Sequence, residues 1–485
     1  MNLRQKTISG LTWSFVDNFA KQGIVFIIGI ILARLLAPRE FGLIGMTTIF
    51  ITLAESLFDS GFGQALVRKK NCTQADYATV FYYNMCLGVF LYLILFLSAG
   101  TISSFFNEPK LELILQVLGF GLIINSFTLI HVILLIKRID FKLQTKITVL
   151  ASIGSGIVGV YMAYNGFGVW SLVAKMLFGF AFTSMLLWSW SPWKPSFEFS
   201  LHSFKEMFSF GSKLLISGLL DKVYNNIYLL VIGKYFSATE LGFYTRADQF
   251  KNLPSQNIMV VIQRVSYPAL SSIQDDIPRL KQAYKKLIKG TMFITFFLML
   301  GLAAIAKPLV LVLIGAKWLP SVIYLQLLCF VGIFFPLKAI NQNMLKVQGL
   351  SGIVLKLEII KKIVAIPLIF IGIFYGIKFL IMGMIFHSSI AFLLDSYYSG
   401  RLIGYSTLHQ IKDTFSSFII AAFIASIVFA TGIWLNTSDI ITLLLELVIF
   451  IFLSILILEI FKVSDYLLIK NIIIEKLITI KNHKK

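Results

Sequence analysis

The sequence predicts an all-α polytopic membrane protein with about 14 transmembrane helices. They form two six-helix lobes related by a parallel pseudo-two-fold, plus two C-terminal helices. Three observations predict this. Of 485 residues, 58% are hydrophobic and only 14% charged, with mean hydropathy +0.85, whereas a soluble chain is about 25% charged. The basic residues fall in every second connection between apolar runs. One polar stripe also occurs twice, 204 residues apart: Asp17, Asn18, Lys21 and Gln22, then Asp221, Lys222, Asn225 and Asn226.

Apolar runs at 11–33, 41–63, 78–104, 111–136, 147–164 and 168–190 give spans 1 to 6 and an N-terminal lobe over 1–200. Runs at 207–233, 241–263, 287–306, 320–345, 353–375 and 379–399 give spans 7 to 12 and a second lobe over 201–400. Runs at 415–434 and 441–461 add two helices within 401–463. Each approaches the roughly 20 residues that cross the hydrocarbon core. The first run carries Asp17 and Lys21 and lacks a small-residue cleavage site, so it is an uncleaved span. The tail 464–485, with Leu467, Leu468, Ile472, Ile473 and Leu477 among lysines, reads as a basic amphipathic helix lying at the interface.

A net charge of +20 raises nucleic acid as a partner, but its distribution points elsewhere. With the N-terminus inside, cytoplasmic segments together with Lys289 and Lys356 at the adjoining span starts hold 27 of the 43 Lys/Arg, and outer loops hold 7. That is the positive-inside pattern, and it puts both termini in the cytoplasm. Most of the charge is topological, and no nucleic acid is expected.

The repeat extends beyond the stripes. Arg34-Leu35-Leu36-Ala37-Pro38-Arg39-Glu40-Phe41-Gly42 parallels Lys234-Tyr235-Phe236-Ser237-Ala238-Thr239-Glu240-Leu241-Gly242 at an offset of 200. Spans 1 and 7 are separated by an even number of crossings and run the same way, so the duplication is parallel.

Spacing i, i+1, i+4, i+5 puts each stripe on one helix face. A charge at the bilayer centre costs roughly 2.5–3.5 kcal/mol on insertion scales, so such faces line a bundle interior or a wet cavity. Cations there attract anions, lysine as a point charge and arginine through paired bonds. Lys21, Lys222, Arg246, Lys251 and Lys175 are the candidate anion-binding groups. Asn18, Gln22, Asn225, Asn226, Tyr224 and Tyr244 are candidate sugar contacts. Asp17, Glu55, Asp59, Asp221 and Asp248 are candidate carriers of a coupling H+ or Na+. Helical spacing would pair Asp17 with Lys21, Asp248 with Lys251, and Glu358 with Lys361 or Lys362. Lys361 and Lys362, near a span end, fit structural pairing or snorkelling.

Other signals fail. There is no Gly-x4-Gly-Lys-Ser/Thr, so no ATP hydrolysis is expected. Gly154-Ser155-Gly156-Ile157-Val158-Gly159 lies inside span 5 with no strand before it and reads as close helix packing. The five histidines are scattered, the three cysteines lack ligand spacing, and no metal or other cofactor is expected. The longest outer loop, about a dozen residues, is too short for an external catalytic domain.

Four segments carry a family resemblance. They are Ser60-Gly61-Phe62-Gly63-Gln64-Ala65-Leu66-Val67-Arg68-Lys69-Lys70, Lys137-Arg138-Ile139-Asp140-Phe141-Lys142, Gly242-Phe243-Tyr244-Thr245-Arg246-Ala247-Asp248-Gln249 and Gln263-Arg264-Val265-Ser266-Tyr267-Pro268-Ala269-Leu270-Ser271. Over residues 5–420 the chain resembles bacterial polysaccharide exporters of the O-antigen and colanic-acid type. These belong to the multidrug/oligosaccharidyl-lipid/polysaccharide exporter superfamily, alongside lipid II flippases and MATE drug exporters. The resemblance implies a flippase moving a polyprenyl-diphosphate-linked oligosaccharide from the cytoplasmic to the outer leaflet of the inner membrane. Its two lobes would rock about a cationic cavity, for O-antigen, capsule or exopolysaccharide biosynthesis. A polysaccharide polymerase and a chain-length regulator are the partners such a pathway implies.

Two rivals remain at this stage. A MATE-like cation-coupled exporter shares the architecture, and the net charge of spans 1, 2, 7 and 8 does not reject it. An integral-membrane glycan polymerase or ligase would be marked by a large outer loop, which the sequence lacks.

Overall fold

Polar caps decide where the helices begin. Thr73 Oγ1 accepts from the Asp76 amide (3.3 Å) while Asp76 Oδ2 accepts from the Thr73 amide (2.8 Å), a reciprocal box that opens one long helix. Asp140, Ser200, Asp276 and Ser406 cap four others. The computed structural model describes residues 3–58, 61–435, 437–463, 466, 467 and 470, and among these there is no strand.

Two compact units divide the chain, Met1–Thr245 and Arg246–Lys485. Unit 1 contains α1 (Leu3–Leu35), α2 (Pro38–Phe58), α3 (Phe62–Arg68), α4 (Gln74–Phe106), α5 (Lys110–Ser126), α6 (Leu129–Arg138), α7 (Phe141–Tyr164), α8 (Val169–Trp190) and α9 (Leu201–Tyr235). The division falls within α10 (Ala238–Ser271). Unit 2 continues with α11 (Ile277–Ala304), α12 (Ala306–Ile314), α13 (Ser321–Val347), α14 (Ser351–Tyr375), α15 (Ile377–Ile403), α16 (Thr407–Trp434) and α17 (Asp439–Ile460). The sequence puts the repeat boundary at 200, whereas the structural division follows packing. α9 lies against α2, α3 and α4, and so counts with unit 1.

Among the described residues, ten helical segments are long and apolar enough to cross a membrane, or eleven if α5 and α6 form one span. α9, α10 and α14 stand outside that set, and the predicted fourteen requires adding them. α10 and α14 are long but carry charges along their length: Arg246, Asp248 and Lys251 on one, Glu358, Lys361 and Lys362 on the other.

The structure departs from the sequence reading in three places. Span 4 is a pair, α5 and α6, bent by 43° at Phe127–Thr128. There the Thr128 hydroxyl bonds the Asn125 carbonyl (2.7 Å) and competes with the helical ladder. The basic run from Arg279 to Lys289, expected mostly as loop, belongs to α11, whose start is capped by Asp276 Oδ1 accepting from the Arg279 amide (3.0 Å). The connection after span 9, read from the sequence as an outer loop, contains α12, unforeseen. The amphipathic tail lies largely outside the described residues; Tyr466 within it donates to Glu459 Oε1 (2.9 Å) and Lys470 pairs with the same oxygen.

Packing follows membrane logic: large apolar side chains point outward and small ones line the seams. On α4, Phe90, Leu93 and Leu97 are exposed, while Gly88, Ala99 and Ser103 are buried. The glycine run of span 5 behaves as expected. A β-carbon on Gly156 would lie 2.0 Å from Ile28 Cδ1 of α1, and one on Gly159 would lie 2.9 Å from Lys175 Cβ of α8. α7 therefore seats closely between two helices.

Candidate functional site

In unit 1 the first stripe sits on the middle of α1. Asn18 Oδ1 accepts from Gln22 Nε2 (3.3 Å) along the helix, and Lys21 projects exposed. Asp17 does not pair with Lys21 as the spacing suggested. Its Oδ1 accepts from the Thr148 hydroxyl of α7 (2.6 Å). The reason is lateral packing: α7 lies alongside α1 and offers a donor nearer than a lysine one turn away.

The second stripe sits on α9. Lys222 and Asn225 are exposed, Tyr224 is half-buried, and Asn226 Nδ2 turns back to the Lys222 carbonyl (2.9 Å). The Asp221 side chain and all of Asp59 lie outside the described residues. Glu55 near the end of α2 joins the stripes, because its carboxylate is within Coulombic range of both Lys222 and Lys21. Cations predicted from two sequence-distant repeats thus gather about one acid inside unit 1. Lys175 sits apart at the α7–α8 seam, its stem against Gly159. Tyr244 is buried.

In unit 2 the predicted groups are enclosed and engaged. Lys251, 3% exposed, pairs with Asp248 (2.6 Å) as its spacing foretold, and its ammonium lies 4.8 Å from the Phe335 ring centre. Asn252 donates to the other Asp248 oxygen (2.7 Å). Arg246 is buried, its guanidinium 5.9 Å over the Trp318 ring and bonded to Gln249. Glu358 pairs with Lys361 (3.0 Å), as spacing suggested. Lys361 does not snorkel: it is 2% exposed and meets Asp395 at 2.6 Å. The stranded acid at 395 was a signal in the sequence, but its partner is on another helix.

A helical membrane protein whose charged faces converge on a shared acid has the character of a transporter. The family described as polysaccharide biosynthesis protein matches residues 31–323, and the chain belongs to it. The lipopolysaccharide biosynthesis protein WzxC of Escherichia coli (strain K12) is 27% identical over 77% of this chain and 76% of its own length. The succinoglycan biosynthesis transport protein ExoT of Rhizobium meliloti (strain 1021) is 24% identical over 64% of each. The fold is similar to that of lipid II flippase MurJ in an inward closed conformation, with TM-score 0.73, 14% identity, and coverage of 93% of this chain and 99% of that one.

Proposed function

We propose that this protein exports a lipid-linked oligosaccharide, assembled on a polyprenyl diphosphate, from the cytoplasmic to the outer leaflet of the inner membrane. The observation that carries the reading is that Lys21 and Lys222, from the two stripes, both act electrostatically on the Glu55 carboxylate. Two ammonium groups near one carboxylate offer the two phosphates of a diphosphate head a point charge each. Family membership and the relatives named for lipopolysaccharide biosynthesis and succinoglycan transport support a glycan cargo.

The lipid tail stays in the bilayer, while the sugars meet Asn18, Gln22, Asn225 and the tyrosines. Glu55 supplies the counter-charge when the site is empty, so release does not strand two bare cations. Moving one charge through 100 mV is worth about 2.3 kcal/mol, so two negative charges leaving a negative-inside cell gain about 4–5 kcal/mol without ATP. H+ or Na+ exchange at Asp17, Glu55, Asp59, Asp221 or Asp248 would add to that drive. Arg246, Lys251 and Lys175 are further anion-binding candidates in this reading. Both termini face the cytoplasm in this reading, and a polymerase with its chain-length regulator receives the product outside.

The test is Lys21→Ala and Lys222→Ala in a host that makes the glycan. Each variant inserts at wild-type level, surface glycan is lost, and lipid-linked repeat units accumulate on the cytoplasmic leaflet. Normal surface glycan in both variants would falsify the binding assignment.

A further inference from the structure

Unit 2 holds a charged cluster that the export path above leaves unused. Lys361 Nζ of α14 lies 2.6 Å from both oxygens of Asp395 on α15, and these side chains are 2% and 0% exposed. Glu358, one turn back on α14, reaches the same Nζ at 3.0 Å. From α13, Lys338 approaches Glu358 at 3.3 Å and Gln342 donates to it. His387 of α15 bonds the Lys361 backbone carbonyl through Nε2 (3.0 Å). Two ammonium groups and two carboxylates balance in charge.

Such a cluster is weak evidence of stabilisation, since apolar residues of similar volume often hold a core as well or better. Within a membrane the retained charges call for a functional explanation. A metal ion does not fit, because the Lys361 ammonium already occupies the space between the carboxylates. A proton does, since adding it to either oxygen needs no vacancy.

A second observation supplies a route. Ser399 lies one turn beyond Asp395, and its hydroxyl donates to Asn341 Oδ1 (2.5 Å), as does the Tyr284 hydroxyl of α11 (2.8 Å). Gln410 Nε2 of α16 lies 3.4 Å from Asn341 Oδ1 and 3.4 Å from the Tyr405 carbonyl. Tyr405 Oη donates to Asp413 (2.8 Å), which pairs with Lys285 (2.8 Å), a side chain 46% exposed. Asn341, Tyr284, Ser399 and Gln410 are all buried. A row of buried polar groups, beginning at Ser399 one turn from Asp395, thus leads toward the basic start of α11, which the sequence places on the cytoplasmic side.

We propose that the Lys361–Asp395–Glu358 cluster is a proton-binding site, connected to the cytoplasmic end by the Ser399–Asn341–Gln410 row, and that it couples proton flow to export. The coupling rests on the transport reading above; the proton site does not. A hydronium ion gives one proton to an Asp395 oxygen and leaves water. The Lys361 ammonium keeps its three hydrogens and moves its bonds to Glu358. The cluster gains one positive charge, and the reverse transfer to water restores it.

The experiment uses the purified full-length chain. Infrared difference spectra between neutral and acidic pH should show a protonated-carboxyl band in the wild type that Asp395→Asn removes. The double variant K361M/D395L should unfold near the wild-type temperature. In pyranine-loaded proteoliposomes, its proton flux driven by undecaprenyl-diphosphate-linked N-acetylglucosamine should fall roughly tenfold or more. An unchanged band in Asp395→Asn, or wild-type flux from the stable double variant, overturns the proposal. An Asp395-dependent band without movement of the probe in the wild type supports the proton site and overturns the transport reading instead.

Discussion

Gly42 and Gly242 each press against the other's helix. A β-carbon on Gly42 would lie 1.6 Å from the Ala238 carbonyl oxygen, and one on Gly242 would lie 1.9 Å from that of Pro38. Each glycine therefore meets the residue four places before its counterpart, at the matched motifs that lie 200 residues apart. The reciprocity is what a two-fold relation between duplicated segments produces.

Alanine at either glycine would force α2 and α10 apart, because the obstruction is backbone and cannot rotate away. Overpacking costs about 1–3 kcal/mol, with values at the upper end expected here. Both substitutions open the same crossing, so the double variant G42A/G242A should lose less than the sum of the singles. Thermal unfolding in detergent tests this; strict additivity would mean the two contacts are independent.

Glu55→Gln removes the acid that both Lys21 and Lys222 act on, while keeping side-chain shape. The site then loses one opposing negative charge, so a diphosphate probe should bind more tightly, by up to about tenfold or 1.4 kcal/mol. Export should slow if release becomes limiting. Binding of undecaprenyl diphosphate to the purified variant checks the sign, and weaker binding would contradict the arrangement.

Much of this fold was legible in the sequence, for definable reasons. Apolar runs, basic connections and helical spacing are local, and they located the helices and the Asp248–Lys251 pair. The matched motifs at Gly42 and Gly242 announced a duplication, and the structure brings them into contact. Relations across helices were not legible: Asp17 took Thr148 of α7 in place of Lys21, and Lys361 found Asp395 of α15. The bend at Thr128 left no proline or glycine to betray it. Nothing in the sequence predicts Trp318 beneath Arg246.

Lys69 bridges Asp76 of α4 (3.1 Å) and Glu206 of α9 (3.2 Å). The hydrogen bond to Asp76 raises the Lys69 pKa above its usual 10.5. The raised value sets the sign. The bridge's contribution is fully present below 10.5 and fades as pH climbs through the higher folded value. Lys69→Met should therefore lose about 0.2–1 kcal/mol at neutral pH, the range for exposed pairs, and little in strong alkali. Unfolding curves at both pH values decide it; an equal loss at both would assign Lys69 to packing.

Arg246 separates charge from packing through two length-matched variants. Its guanidinium lies 5.9 Å over Trp318, which is wholly buried. Arg246→Lys keeps the charge but loses the planar stack, a difference of about 0.5–2 kcal/mol at a desolvated site. Arg246→Met fills the same volume without charge. If Arg246 adds positive field to the glycan path, the lysine variant should retain part of the surface glycan while the methionine variant, folded at least as stably, loses it. The opposite ranking, with methionine exporting and lysine failing, would make Arg246 a packing residue for Trp318. Surface glycan and thermal unfolding measured on the same pair separate the two roles, because charge governs the first and fit over the indole governs the second.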